Sequence, residues 1–595
     1  MKSLLPGNIA EKTATPESMR AETSLRPWIV SLLIAAVFLA LHLLVFRPGY
    51  QVDDDITMIS LASGYLGGKP VPFLIFSNVI LGFLLNLLYR LPTNLNWEIL
   101  LFVALNFFSV WCLIYLILCF PLKAVEKIIG ILAVLLADSY FLLSITFTTI
   151  AAFVAIAGFC SMLAAAHRDF RIGRRFYFFS GILLFVSGLI RIESVLLVLL
   201  STGLSIVLMN RLFDLKSLTI AFAGIGLIVV GSFLFNKFYV QAHAEWQAFY
   251  TYNDVRSLIQ DTPRIRDPEK FRNIAGQIGW YPVDARMFAS WFIADEKIFS
   301  LDNLQYLADH LPGKEKNPLS AAVSYFYPRT DPVELALVSY PYILIIIAAF
   351  LSATLYSSLR QAALPLLVLL LSVAVLFVYL AWTQKVPARV WYSFLATAAV
   401  FGFFIVAWSK ANATESQIRG PGILKLIGTF LVSALMLAAL VLVTLRAVVV
   451  SATNIEKQND YQEILSNLNS LQAQGKIQQD ALIVIPAMGI PLEWSNPMTL
   501  DFPKVQVLEL GWLAFSPPYR DVLRQYDSYP LLTGLYERNN VYLMARANLL
   551  GGIVQFIQIH TGAVLRADPV LIVDYPGLDN GAYTNTVLYK LKQVK

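Results

Sequence analysis

Run after run of about twenty residues in this chain carries almost no charge, and a run of that length can bury its backbone in lipid only as a helix. Eleven such runs stand out: Trp28–Phe46, Trp97–Phe120, Ile128–Thr146, Phe147–Ala166, Phe176–Ile190, Ile192–Met209, Leu218–Phe238, Val338–Leu359, Ala362–Thr383, Trp391–Trp408 and Leu424–Val449. Composition agrees. Of 595 residues, 57% are hydrophobic and only 14% charged, against roughly 25% charged in soluble domains, so a polytopic α-helical membrane protein is expected. The net charge of +6 does not point to nucleic acid, because Lys and Arg gather in short loops between apolar runs. Cys112, Cys119 and Cys160 all lie inside apolar runs, which suggests no disulfide framework.

Orientation follows from those basic loops. Residues 1–26 are polar, with Lys2, Lys12, Arg20 and Arg26, and read as a cytoplasmic segment before an uncleaved first span. The segment Val71–Leu91 is apolar enough to span, but spanning would place the basic loop His167–Arg175 outside, against the positive-inside rule. Gly67, Gly68, Pro70 and Pro72 break any continuous helix there, and Ser77, Asn78 and Asn86 give the remainder a polar side. It is therefore expected at the outer interface. About eleven spans result, forming a transmembrane domain over 27–450. The loops 47–96 and 239–335, the turns at Arg191 and at Lys385–Arg389, and the tail 451–595 then share one extracytoplasmic face of the plasma (inner) membrane.

The tail reads as a separate α/β domain. Ile455, Ile464, Leu465, Leu468 and Leu471 recur at helical spacing, with Gly475 closing the helix. Strand-like runs Ala481–Pro486, Val505–Leu510, Val541–Met544, Val570–Val573 and Thr586–Leu591 alternate with helices at Pro518–Tyr526 and Arg546–Ile559. No Gly-rich phosphate loop or CxxC pair occurs in it, so an accessory or acceptor-handling role is expected.

Chemistry is expected where charges gather on the shared face. Asp53, Asp54 and Asp55 follow the first span within a few residues. Carboxylates beside a bilayer can deprotonate a hydroxyl, bind a divalent cation, or form an ordinary acidic turn; mutual repulsion raises at least one pKa. Arg191 and Glu193 interrupt an otherwise very long apolar stretch; they either pair with each other at a helix turn or leave Arg191 to bind phosphate. Lys385 and Arg389 form a second basic pair, as phosphate ligands or as interface anchors. In the large loop, Trp246, Tyr250 and Arg256 mix aromatic faces with polar groups as carbohydrate sites do, although Trp246, Phe249 and Tyr250 equally suit a helix seated at the membrane interface.

With these residues in view, the chain resembles the GT-C class of integral membrane glycosyltransferases, which includes protein O-mannosyltransferases and the aminoarabinose transferase of lipid A. The likeness is carried by Asp53–Pro72 after the first span, by Arg191, Glu193 and Arg389, by the outer loop with interface helices, and by the extracytoplasmic tail. Where the family often has a His-Pro-Pro-like segment, this chain has Lys69–Pro72. The resemblance implies transfer of a sugar from a polyprenyl-phosphate donor to an envelope glycan, lipid or protein. Asp53 or Asp54, within the triplet ending at Asp55, would be the general base, and Arg191, Lys385 and Arg389 would hold the donor phosphate. Glu193, Trp246, Tyr250 and Arg256 would contact substrate, and Asp53 and Asp54 would ligate a divalent cation, Mg or Mn, if one is used. Two rival classes stay open: a transporter or flippase for a lipid-linked glycan, for which His42 is the nearest intramembrane titratable group, and a non-catalytic envelope protein of the same architecture.

Overall fold

The computed structural model describes residues 25–168, 172–173, 175–265, 267–312, 317–320, 332–356, 359–383, 387–411, 422–486, 490–573 and 586–594. Helices lie at every one of the eleven expected spans. Eight helices among the described residues are long and apolar enough to cross a membrane. They include α1 (Leu25–Val45), α4 (Trp97–Cys119), α6 (Phe147–Ala166), α7 (Arg175–Leu208) and α8 (Leu215–Gln241), with α14 (Leu359–Trp382), α15 (Ala388–Ala411) and α16 (Gly422–Ala473) later in the chain. Helices α5 (Ala124–Leu143) and α13 (Pro332–Tyr356) complete the bundle.

Helix α6 is its axis, buried along its whole length. Its neighbour α7 carries Ser180 and Ser187 seven residues apart on one face of its first arm, and Ser194 just past its break at Arg191. They donate to the α6 carbonyls of Gly158, Ala151 and Thr148 at 2.8, 2.7 and 3.1 Å. Such small polar residues let apolar helices approach closely where no water competes. Helix α7 is two helices joined at Arg191, whose backbone (φ −159°, ψ 106°) is extended. Its second arm returns to the end from which the first began, since Asp214 N donates to Ala166 O and His167 bridges to Phe213. The two expected runs 176–190 and 192–209 therefore form a hairpin with Arg191 at its tip. Carbonyls freed at the break accept from the preceding loop: Asn78 N donates to Leu189 O and Ser77 Oγ to Ile190 O.

The segment Val71–Leu91 does not span. Only α3 (Val79–Leu88) is helical there, about 15 Å long at 1.5 Å per residue. The Asn78 side chain caps it by accepting from Ile80 N, and Asn78 Nδ2 donates to Ser232 O of α8, fastening it across the bundle end. Before it, α2 (Asp53–Ser63) starts with the three aspartates in its first turn, where anionic side chains oppose the helix dipole, and Gly64 ends it at φ +81°. The large loop folds into α9 (Ala244–Gln260), α10 (Pro268–Gln277), α11 (Pro282–Ala289) and α12 (Leu301–His310).

The boundary expected at Ser451 is not a break. Helix α16 runs for 52 residues, about 78 Å, so the last apolar run and the helical pattern through Leu471 are one rod that carries the chain out of the bundle. Two-residue strands β1 (Gly49–Tyr50) and β2 (Ser144–Ile145) pair in parallel; beyond the rod, β3 (Leu482–Ile485), β4 (Gln506–Glu509), β5 (Val541–Arg546), β6 (Leu565–Val573) and β7 (Thr586–Gln593) form a sheet in the order β4-β3-β5-β7-β6. The first three strands are parallel and the last two antiparallel. Helices α17 (Pro517–Gln525), α18 (Leu531–Glu537) and α19 (Ala547–Thr561) alternate with them; α18 left no periodic signature long enough to expect.

Asn96, fully buried, joins the two parts. Its Nδ2 donates to Tyr50 Oη and to Pro497 O of the tail, each at 2.8 Å, and its Oδ1 accepts from Tyr89 Oη at 2.8 Å. Replacing it leaves buried polar groups unpaired, at about 3 kcal/mol. Asn96→Leu is therefore expected to lower the unfolding temperature in detergent and to expose the tail to protease before the bundle; unchanged proteolysis would remove this joint from the account.

Candidate active site between the bundle and the C-terminal domain

The end of the bundle that carries α2, the Arg191 tip and the start of α15 faces the carboxyl ends of β3 and β4. Between them lies a cavity of about 900 Å³. In open parallel sheets the loops at strand carboxyl ends are the usual ligand-facing edge, and here they deliver Glu493, from the turn after β3, and Glu509, the last residue of β4.

Its floor is aromatic. Phe76 stacks on Phe147, the first residue of α6, with centroids 5.7 Å apart, and meets Trp512 of the tail at 5.0 Å. Two guanidiniums lie over the Phe147 ring, Arg191 at 4.8 Å and Arg389 at 5.5 Å from its centroid. Arg191 also donates to Thr148 Oγ1 at 3.2 Å and stands 3.8 Å from Glu193. Arg389 pairs with Asp54 at 2.8 Å, both groups mostly shielded from solvent. The extended backbone at Arg191 is what turns its side chain off the helix and toward Phe147.

The three aspartates have separate fates. Asp53 opens into the cavity; the walls around it and the adjacent Asp54 raise its pKa above the usual carboxylate value. Asp54 lines the cavity in its ion pair with Arg389. Asp55 does not reach it: fully buried, its Oδ1 accepts from Phe147 N at 2.9 Å, tying the start of α2 to the start of α6. Its role is to position, and the alternation of a helical turn is the reason, since consecutive residues point about 100° apart.

Of the other expected residues, Arg191, Arg389, Glu193, Tyr250 and Arg256 all line this cavity. Arg256 is held by Asn253, Gln260 and Asp261 at 3.0, 3.1 and 3.2 Å and lies over the Trp291 ring. Trp246 is not at the cavity: it is buried and stacks on Phe73 at 4.4 Å, the helix-seating role. Lys385 lies outside the described residues. Backbone strain also gathers here, as it does at functional sites: Ile75 (φ 64°) and Trp291 (φ 59°), both lining residues, occupy the left-handed region.

Sequence reasoning missed Glu493 and Glu509. The available signal was position, since Glu509 ends one parallel strand of the tail and Glu493 follows another. It also passed over Glu98 and Asp138, fully buried carboxyls inside the bundle that do not line the cavity. Among the described residues, no three His, Cys, Asp or Glu side chains are grouped to hold a metal ion.

Burial raises the Asp55 carboxyl to about 7, and burial with the nearby Asp53, Glu493 and Asp54 raises Glu509 to about 8. A carboxyl that holds its proton only when folded stabilises the fold fully below its unfolded value near 4, and that contribution is lost as pH rises through the folded value. The purified protein is expected to lose stability as pH rises from about 4 to about 8. Glu509→Gln should flatten that slope in thermal unfolding measured across the range; an equally steep variant would refute the assignment.

No family model and no curated protein matches the chain. Among solved structures, it is similar to ArnT from Cupriavidus metallidurans, in a crystal structure bound to undecaprenyl phosphate. Identity is 13% and the TM-score 0.38, with 95% of this chain and 98% of that chain covered.

Proposed function

We propose that this protein is a glycosyltransferase of the GT-C type, moving a sugar from a polyprenyl-phosphate donor to a hydroxyl of an envelope acceptor at the extracytoplasmic face of the membrane. One observation carries the reading. A carboxylate open to the cavity, Asp53, stands beside two arginines, Arg191 and Arg389, gathered over one aromatic ring at the membrane end of a cavity large enough for a substrate.

Asp53 is the base. Asp54 is engaged by Arg389 and Asp55 by the α6 backbone, whereas Asp53 faces open space with its pKa raised toward the range useful for proton abstraction. Asp53 takes the proton of the acceptor hydroxyl as its oxygen attacks the anomeric carbon. The bond from that carbon to the phosphate oxygen breaks, and its electron pair leaves with the lipid phosphate. Arg191 and Arg389 meet that developing charge with fixed guanidiniums in a partly dehydrated site, where such contacts count most. An arriving phosphate competes with Asp54 for Arg389, so donor binding loosens the ion pair, and the freed Asp54 carboxylate favours the protonated form of Asp53. Glu193, Tyr250 and Arg256 line the cavity wall where the sugar sits. If a divalent cation takes part, Asp53 and Asp54 are its ligands.

Glu98 and Asp138 are the groups a transporter would need inside the bundle, but they line no part of this cavity, and the transferase reading uses the charges that do. In an assay of transfer from a polyprenyl-phosphate sugar, Asp53→Asn is expected to reduce the rate by roughly a hundred- to ten-thousandfold. Arg389→Ala and Arg191→Ala should each cost about a hundred- to thousandfold. Full transfer by Asp53→Asn with intact folding would overturn the reading.

A further inference from the structure

A second chamber of about 290 Å³ lies on the other side of Asp53. Its lining includes Gln51, Asn454, Lys457, Gln458 and Glu493, and it shares Asp53 and Glu493 with the larger cavity. The two carboxylates therefore form a common wall, reached from both sides. We propose that this chamber is the acceptor subsite and that it takes a single uncharged sugar unit of an envelope glycan. The proposal rests on the reading of Asp53 as base.

Chemistry separates the two chambers. The three arginines line the larger one, whereas the smaller contains no arginine and presents three amide side chains. Asn454 Nδ2 donates to Arg47 O and Leu143 O, Gln458 Nε2 uses one N–H on Pro48 O, and Gln51 Nε2 uses one on Tyr140 Oη. Each amide also presents a carbonyl oxygen, and Gln51 Oε1 is buried with no hydrogen-bond partner. Amide and carboxylate oxygens together accept hydrogen bonds, which suits the hydroxyl donors of a sugar and disfavours a phosphate. Lys457, the chamber's cation, lies over the Trp494 ring at 5.6 Å. The volume, near the lower end of the roughly 300–1,000 Å³ of ligand sites, fits one ring rather than a lipid.

Position supplies the rest. Asn454, Lys457 and Gln458 share one face of α16, at i, i+3 and i+4, on the part of the rod that projects beyond the bundle. A sugar held there lies against Asp53, which lines both chambers, so a hydroxyl at their shared edge can give its proton to that carboxylate while its oxygen attacks an anomeric carbon in the arginine-lined cavity. Gly49 keeps the chamber open, because a Cβ there would come within 2.5 Å of Asn454 Oδ1.

The test uses the full-length protein in lipid nanodiscs with two probes. Methyl glycosides of common hexoses are followed by saturation-transfer NMR, and undecaprenyl phosphate by competition binding. Gln458→Leu and Gly49→Ala, each first checked for a wild-type unfolding temperature, should lower the glycoside signal at least fivefold and leave undecaprenyl phosphate binding within twofold. Arg389→Ala should do the reverse. Absence of any glycoside signal from the wild-type protein, or equal signals from wild type and both chamber variants, would overturn the proposal. If instead Arg389→Ala kept undecaprenyl phosphate binding while the chamber variants lost glycoside, the donor-site reading would fail and the sugar chamber would stand.

Discussion

The start of helix α6 is the point on which the site depends. Phe147 is its first residue, and the Asp55 carboxyl accepts the Phe147 N–H, a donor that no helical carbonyl could satisfy. One hydrogen bond thus locks the acidic turn of α2 onto the fully buried helix of the bundle. The ring of the same residue carries Arg191 and Arg389 on it and Phe76 beside it. Acid, base and aromatic floor are therefore referred to one rigid element, and their spacing is set by packing rather than by loop conformation.

Two departures from regular helix make that arrangement possible. At Arg191 the backbone leaves the helix, and the carbonyls released at Leu189 and Ile190 are taken by Asn78 and Ser77. In an apolar bundle those carbonyls would otherwise be costly, so the loop after α2 is required by the break and the break by the position of Arg191. The long rod α16 is the second. By continuing out of the bundle it fixes where the tail sits, and the tail in turn places Glu493 and Glu509 opposite Asp53.

Much of this was legible from residues alone. Apolar runs located the helices, the basic loops predicted which segments share a face, and the interface character of Val71–Leu91 followed from its glycines, prolines and asparagines. Asp53, Asp54, Arg191, Glu193, Tyr250, Arg256 and Arg389, chosen by charge and position, meet around one cavity. The exceptions have physical causes. Asp55 differs from its neighbours only in the direction a helical turn points it, and Trp246 only in having Phe73 to stack on. Neither fact is written in spacing.

The sequence by itself determined that this chain forms a helical bundle for a membrane with an α/β domain at one end, because apolar length, hydropathy period and charge placement are local properties. Tertiary structure alone decided which acid is open, which is paired and which is buried. It also decided that two glutamates about 450 residues away complete the same cavity. Burial and ion pairing depend on what packs against a group, and the partner of Asp54 lies 335 residues along the chain, at Arg389.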